Sequence, residues 1–238
     1  VLGDLGAAEK FRIVTKTPQR VKGDQRGISQ DGVRRSFEHS LRQLKTTRVE
    51  VLMVHSADDL LCSTGDDCYA ALDALKADRS IGKIGVSVYR PGELSALLDR
   101  YSLDVVQVPF NLLDRRFLSS GCLARCKQSG TTVFARSTFL QGLLLMAPDA
   151  IPARAAAARP SIDLMNKRCR ELQVAPLAAC LGHSLNEPLV DSVVLGVTSK
   201  SELTEIVSAS VAAKDRTWTR FDDLATEDER VIDPRYWL

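Results

Sequence analysis

The stretch RVEVLMVHSADD, residues 48–59, decides the fold. Val49 through Val54 form a near-continuous apolar run rich in β-branched residues, which suits a parallel strand covered on both faces. The run stops at His55. A strand that buries both faces and ends in an imidazole raises the question of what the imidazole meets.

Working outward, segments of the same kind recur. FRIVTKT (11–17) reads as a strand before it; IGKIGVSV (81–88), DVVQVPFN (104–111), TTVFARST (131–138) and DSVVLGV (191–197) read as strands after it. Helical spacings lie between. Val33, Phe37, Leu41 and Leu44 mark a helix over 29–44, and Tyr69, Leu72 and Leu75 another over 66–78. Pro91 opens the next, with Leu94, Leu97, Leu98 and Tyr101 as its buried stripe. A helix over 117–129 is expected to end near Gly130. IPARAAAARP (151–160) reads as a connecting loop with a turn of helix. Ile162, Met165, Cys169 and Leu172 mark the helix after it, Pro176 opens another, and Leu203, Ile206 and Val207 belong to the last. His39 is expected on a solvated surface and His183 packed within its helix. The tail 218–238, acidic then aromatic, is expected along the outside.

Six strands, each followed by a helix, make a string of right-handed parallel βαβ units. Such a string forms either an open doubly wound sheet or the eight-stranded (β/α) barrel. No GxGxxG turn follows the first strand, which weighs against the dinucleotide-binding open sheet. The expected fold class is therefore α/β, a (β/α)8 TIM barrel with about six of its eight units in this chain. Residues 1–238 are expected to form a single domain.

Composition narrows the partners. Of 238 residues, 45% are hydrophobic and 26% charged, ordinary for a soluble domain. A net charge of +2, from 32 basic against 30 acidic residues, gives no field to draw nucleic acid or anionic lipid. No apolar run approaches the ~18 residues of a membrane span. VLGDLGAAEK at the start lacks a signal layout, so a cytoplasmic protein with neither nucleic-acid nor membrane partner is expected. The six cysteines have no CxxC pairing or zinc-site spacing and read as free, buried thiols with no metal. Cys122 and Cys126, four apart, read as a packing stripe.

Barrel enzymes carry their chemistry at the carboxyl ends of the strands. Those ends are polar here: Thr15, Lys16 and Thr17; His55; Ser87; Gln107 and Asn111; Arg136 and Ser137. Alternation puts Val51, Met53 and His55 on one face, and Val14 and Lys16 likewise. Neighbouring strands lie about 4.8 Å apart, so Lys16 and His55 can both point inward. The other reading has Lys16 snorkelling outward and His55 capping its strand.

Taken in order, these stretches resemble the aldo-keto reductase family. FRIVTKT resembles the strand with that family's catalytic lysine, VEVLMVHSAD (49–58) the strand with its catalytic histidine, and KIGVSVY (83–89) the strand with its cofactor-amide serine. DVVQVPFNLLDRR (104–116), VFARSTFLQGLLL (133–145) and VVLGVTSKSELTEI (193–206) resemble the remaining strands and loops. The resemblance implies an oxidoreductase that moves a hydride between NADP or NAD and a small-molecule carbonyl or alcohol substrate. Lys16 and His55 would be catalytic, Lys16 lowering the pKa of a proton-donating tyrosine and His55 hydrogen-bonding the carbonyl oxygen or shuttling the proton. Ser87 and Gln107 would hold the nicotinamide carboxamide. Arg136 would stack on the ring, where many members place an aromatic side chain. Ser137, Leu140 and Gly142 would line the pyrophosphate path, and Gly196, Ser199 and Glu202 the adenosine end. Glu202 stands where members that favour the 2′-phosphate present a basic residue, so the preference between NADP and NAD stays undetermined, leaning away from a strong NADP clamp.

The resemblance also implies two βα units, carrying an aspartate and the tyrosine, ahead of Lys16. Two units of ~30 residues each would bring the total to about 300. The expectation is thus an N-terminally incomplete barrel whose activity in this form is uncertain. Tyr69, Tyr89, Tyr101 and Tyr236 fall in helix, loop or tail, and none takes the tyrosine's part. The competing expectation is a catalytically inactive, reductase-like binding or regulatory protein. A third is a lyase or dehydratase using Lys16 and His55 on the same scaffold. Substrate identity and oligomeric state are not legible.

Overall fold

The computed structural model describes residues 2–19, 27–213 and 219–237. Val1, Trp218 and Leu238, which the terminal expectations include, lie outside them. The chain divides into two compact units, Val1–Gln107 with Cys126–Thr132, and Val108–Arg125 with Val133–Leu238.

In the first unit, β1 (Val14–Lys16), β2 (Val49–Val54), β3 (Ile81–Ser87) and the start of β4 (Val105–Pro109) pair in chain order, all parallel. β2 is buried throughout except at half-buried Glu50, as its unbroken apolar run dictates. Gly85 faces Met53 in the register. A Cβ at Gly85 would lie 3.0 Å from Met53 Cγ and 3.2 Å from the Val105 carbonyl oxygen, so the missing side chain is the space Met53 fills.

β1 is shorter than the 11–17 expected, and Phe11 ahead of it is 69% exposed. The helix Gln30–Leu44 follows its periodicity only in part. Ser29 caps it, accepting from the Gly32 amide at 3.1 Å. Val33 and Phe37 are buried, but Leu41 and Leu44 are half-buried. The helix's C-terminal half borders an open groove of about 510 Å³ lined by Leu2, Ala7, Phe11, Val14, His39 and Leu44 among others. His39 is exposed there, as expected.

The helices Gly65–Ala77 and Pro91–Arg100 bury Cys68, Leu72 and Leu75, and Leu94 and Leu97. Asp104, at the entrance to β4, ties three elements of this unit together. It pairs with Lys76 at 2.6 Å, accepts from the Ile84 amide at 2.8 Å, and its carbonyl accepts from Thr132 at the head of β5 (Thr132–Arg136) at 2.9 Å.

In the second unit, β5 pairs with β6 (Ser192–Val193) in parallel, Phe134 facing Ser192 and Ala135 facing Val193. The Phe110 amide donates to the Arg136 carbonyl at 3.0 Å. β6 covers only the start of the strand expected over 191–197; Val194 still donates to the Ala135 carbonyl at 2.7 Å before the chain leaves the sheet. The helix expected over 117–129 is two, Arg116–Ser119 and Cys122–Gln128, parted at Gly121. Gly121 has φ of +78°, a left-handed conformation that ends a right-handed helix.

The tail corrects another expectation. Phe221, Leu224, Val231, Ile232 and Trp237 are buried in one apolar cluster with Leu143, Ile162, Met165 and Cys180, so the segment completes a core instead of lying along the outside. Two of its acidic residues are paired: Asp222 with Arg115 at 2.6 Å, and Asp223 with Arg168. None of the six cysteines is in a disulfide; Cys62 is half-buried and the others are buried. Among the described residues no helix is long and apolar enough to cross a membrane.

Candidate active site

Strand register places the polar strand ends of the first unit. Lys16 faces Met53, Met53 faces Gly85, and Ser87 faces Gln107. Val54 faces Val86, so one step on His55 is level with Ser87. Facing residues in a parallel sheet share a side, and side chains alternate along each strand. Lys16, His55, Ser87 and Gln107 therefore occupy one face at the carboxyl ends of β1 to β4.

Lys16 Nζ donates to Gln107 Oε1 at 2.6 Å. Two strands separate β1 from β4, a span of roughly 14 Å along a flat sheet. The bond closes because these four strands curl, with the face carrying Lys16 and Gln107 concave. Ser87 Oγ lies 3.4 Å from the same oxygen. Thr17 is 2% exposed, and its Oγ1 accepts the His55 amide proton at 3.0 Å, clasping the tips of β1 and β2. Sequence reasoning noted Thr17 as polar but gave it no part. Its signal was a β-branched hydroxyl directly after a strand-end lysine.

The tyrosines of this unit's helices serve packing. The rings of Tyr69 and Tyr101 stack at 4.6 Å, and the Tyr69 hydroxyl donates to the Ser102 carbonyl at 2.8 Å. The Tyr101 hydroxyl lies 2.9 Å from Asp66 Oδ1 and 3.1 Å from the Leu60 carbonyl oxygen. Burial, and then the Asp66 hydrogen bond, push Tyr101 up to about 12, the wrong direction for a proton donor near neutral pH.

In the second unit the loop after β5 is the unusual feature. Ser137, Leu140 and Gln141 have φ of +61°, +47° and +57°, and Gly142 has +84°. Only the glycine adopts this conformation without cost; the other three each give up about 1–2 kcal/mol, so the surroundings must hold them. The Leu140 amide donates to the Ser137 carbonyl at 2.8 Å, and Asn111 Nδ2 donates to the same oxygen at 3.1 Å. Asn111 is fully buried and its Oδ1 accepts from the Leu113 and Asp114 amides, which makes it a clasp within the fold. Arg136, half-buried, donates to Ser137 Oγ at 3.1 Å.

The adenosine-end residues are placed separately, at the start of the helix Lys200–Ala213. No atom lies within 4 Å of where a Cβ on Gly196 would stand. Ser199 Oγ accepts from the Glu202 amide at 3.1 Å. Glu202 Oε2 accepts from the Thr198 amide at 2.6 Å and its hydroxyl at 3.0 Å, and these bonds hold the carboxyl below its usual range. Glu202 thus closes a helix cap. The signal was present in the sequence, since Ser199-Lys200-Ser201-Glu202 has the S-x-x-E spacing of a capping box. His183 packs as its helix position led one to expect: it is 7% exposed and its ring stacks on Phe110 at 5.0 Å.

The family model for aldo/keto reductases matches residues 2–226. The chain belongs to the aldo/keto reductase family. A 6-dehydroglucose reductase from Agrobacterium fabrum is 27% identical over 197 residues, covering 82% of this chain and 63% of that protein. A D-threo-aldose 1-dehydrogenase from a Pseudomonas species is 24% identical over 190 residues, covering 75% and 56%. The match thus spans less than two thirds of either curated relative. Among solved structures, aldo-keto reductase AKR11C1 from Bacillus halodurans matches in its holo form with a TM-score of 0.78 and 21% identity, over 96% of this chain and 80% of that one. Its apo form matches at 0.72 with 20% identity, over 96% and 78%. At that identity the likeness speaks for the fold, an aldo-keto reductase α/β scaffold of parallel strands. Among the described residues of this aldo/keto reductase, no group of three His, Cys, Asp or Glu side chains is placed to hold a metal ion.

Proposed function

We propose that this aldo/keto reductase is an oxidoreductase on the (β/α)8 scaffold, transferring a hydride between a nicotinamide dinucleotide and a small carbonyl or alcohol. The observation that carries the reading is the sharing of one concave face by Lys16, His55, Ser87 and Gln107, at the strand ends where a barrel does its chemistry. The residues fit such a cofactor in two respects. Gln107 is buried, with an amino group that makes no hydrogen bond among the described residues, and the loop after β5 holds a run of left-handed backbone of the kind that aims N–H groups at anions.

When bound, the reduced dinucleotide supplies the hydride. Ser87 and Gln107 would hold its carboxamide, and Arg136 its ring. Ser137, Leu140 and Gly142 would serve the pyrophosphate, and Gly196, Ser199 and Glu202 the adenosine end. His55 would hydrogen-bond the substrate's carbonyl oxygen and pass to it a proton drawn from solvent, while the Lys16 ammonium would stabilise the charge that develops there. The names of the two curated relatives make 6-dehydroglucose and D-threo-aldoses the first substrates to try.

Glu202 and its cap leave a carboxylate where a 2′-phosphate clamp would need a cation. Fluorescence titration of the chain with both reduced dinucleotides at fixed salt should show binding, with the phosphorylated form favoured by less than tenfold, or about 1.4 kcal/mol. A stronger preference for that form would move Glu202 out of the adenosine site, and no binding of either would remove the oxidoreductase reading.

A further inference from the structure

We propose that Thr17 is a positioning residue that holds the tip of β2 in register beyond the end of β1, and so fixes where the His55 imidazole stands. The inference rests on the oxidoreductase reading above, in which His55 meets the substrate's carbonyl oxygen. Thr17 directly follows β1 and is 2% exposed. Its amide donates to the Met53 carbonyl at 2.9 Å, a regular rung between the two parallel strands. The next rung of such a ladder would run from the His55 amide to the Thr17 carbonyl. The bond found runs to Thr17 Oγ1, at 3.0 Å.

The side-chain oxygen stands in for the main-chain carbonyl, so the chain can leave β1 while the tip of β2 stays tied to it. Two local features aim that oxygen. Pro18 follows, and a proline holds the residue before it extended and has no N–H to carry the ladder further. Threonine is β-branched, so its hydroxyl turns little about the Cα–Cβ bond. The tether grips the backbone nitrogen of His55, one bond from the carbon that bears the ring. That grip acts where the chain changes course: β2 ends at Val54, and the helix Asp58–Leu61 begins after Ser56 and Ala57. Without the oxygen the amide must find another acceptor, and the ring moves with it. A misplacement of about 1 Å at a group that serves the reacting atoms can cost on the order of a hundredfold in rate.

The test uses the full chain and compares Thr17→Val, which keeps the shape and removes the oxygen, with Thr17→Ser, which keeps the oxygen. With 6-dehydroglucose and each reduced dinucleotide, or a D-threo-aldose and each oxidised one, Thr17→Val should lower kcat about tenfold with dinucleotide affinity near wild type. Thr17→Ser should stay within about threefold of wild type. Added to His55→Gln, Thr17→Val should cost less than about twofold more, because an imidazole that is gone cannot be misplaced; a purely structural loss would be the same in both backgrounds. The chain has three histidines, His39, His55 and His183. In the ligand-free protein, Thr17→Val should shift the ring proton resonances of His55 and leave those of the other two, and Thr17→Ser should leave all three. An unmoved His55 ring, equal losses in both backgrounds, or failure of Thr17→Val and Thr17→Ala alike to fold overturns the proposal. If wild type turns over neither substrate, the His55 resonances decide the placement alone. Binding of neither dinucleotide would remove the oxidoreductase reading itself.

Discussion

His55 sits where a fully buried strand runs out into a half-buried tip, and its backbone amide is already satisfied by Thr17 Oγ1. A side-chain change there leaves that clasp intact, so His55→Gln should move the thermal midpoint little, as replacements outside the core do. It should remove the imidazole that relays a proton to the substrate oxygen and lower kcat by about a hundredfold, with dinucleotide affinity near wild type. Unchanged turnover, or loss of folding, would make His55 a structural cap. His183 behaves differently. Burial first, and then Arg115, push its pKa down to about 4 from 6.5, with Asp222 pulling weakly the other way. The unfolded chain therefore takes up the proton first as pH falls. The stability carried by neutral His183 is fully present above about pH 6.5 and is lost as pH falls toward 4, on the order of 3 kcal/mol in all. Urea unfolding of wild type and His183→Phe across that window should show a loss in wild type that the variant largely lacks. At this scale the sequence was informative wherever a polar side chain interrupted an apolar strand. At Glu202 it was ambiguous, because a carboxylate in a cap and one at a ribose look alike in sequence, and the structure adds the cap bond to Thr198.

Among the elements, β2, β3 and the helices opened by Pro91 and Pro176 were legible because their signals are local. The tail was not. Asp222 and Asp223 read as a solvated run, yet their partners Arg115 and Arg168 lie far off in sequence, and with those charges paired Phe221 and Leu224 turn inward. Phe221 is 1% exposed, so Phe221→Ala should destabilise by about 3–5 kcal/mol, measured by denaturant unfolding. A cost below about 1 kcal/mol would return the tail to the surface. The length of β6 was hidden for a similar reason: an apolar run shows that a segment can pair, whereas the number of residues that do pair depends on where the neighbouring strand ends.

At the scale of the whole molecule the chain falls into two compact units; the lysine, the histidine and the amide lie in the first, and the loop of left-handed backbone belongs to the second. Parallel order was readable because each strand–helix pair needs a crossover of similar length. The division into units was not, since β4 begins in one and ends in the other without a break in its apolar pattern. The bond between Lys16 and Gln107 joins residues 91 apart in sequence. Closing so long a loop directly is entropically unfavourable, whereas strands added one beside the next shorten it in small steps. On that ground the contact is expected to form late in folding, after β2, β3 and β4 have docked in turn. A chain whose β4 had not docked would hold its lysine without the amide that faces it, so the binding proposed for this face would depend on the finished sheet.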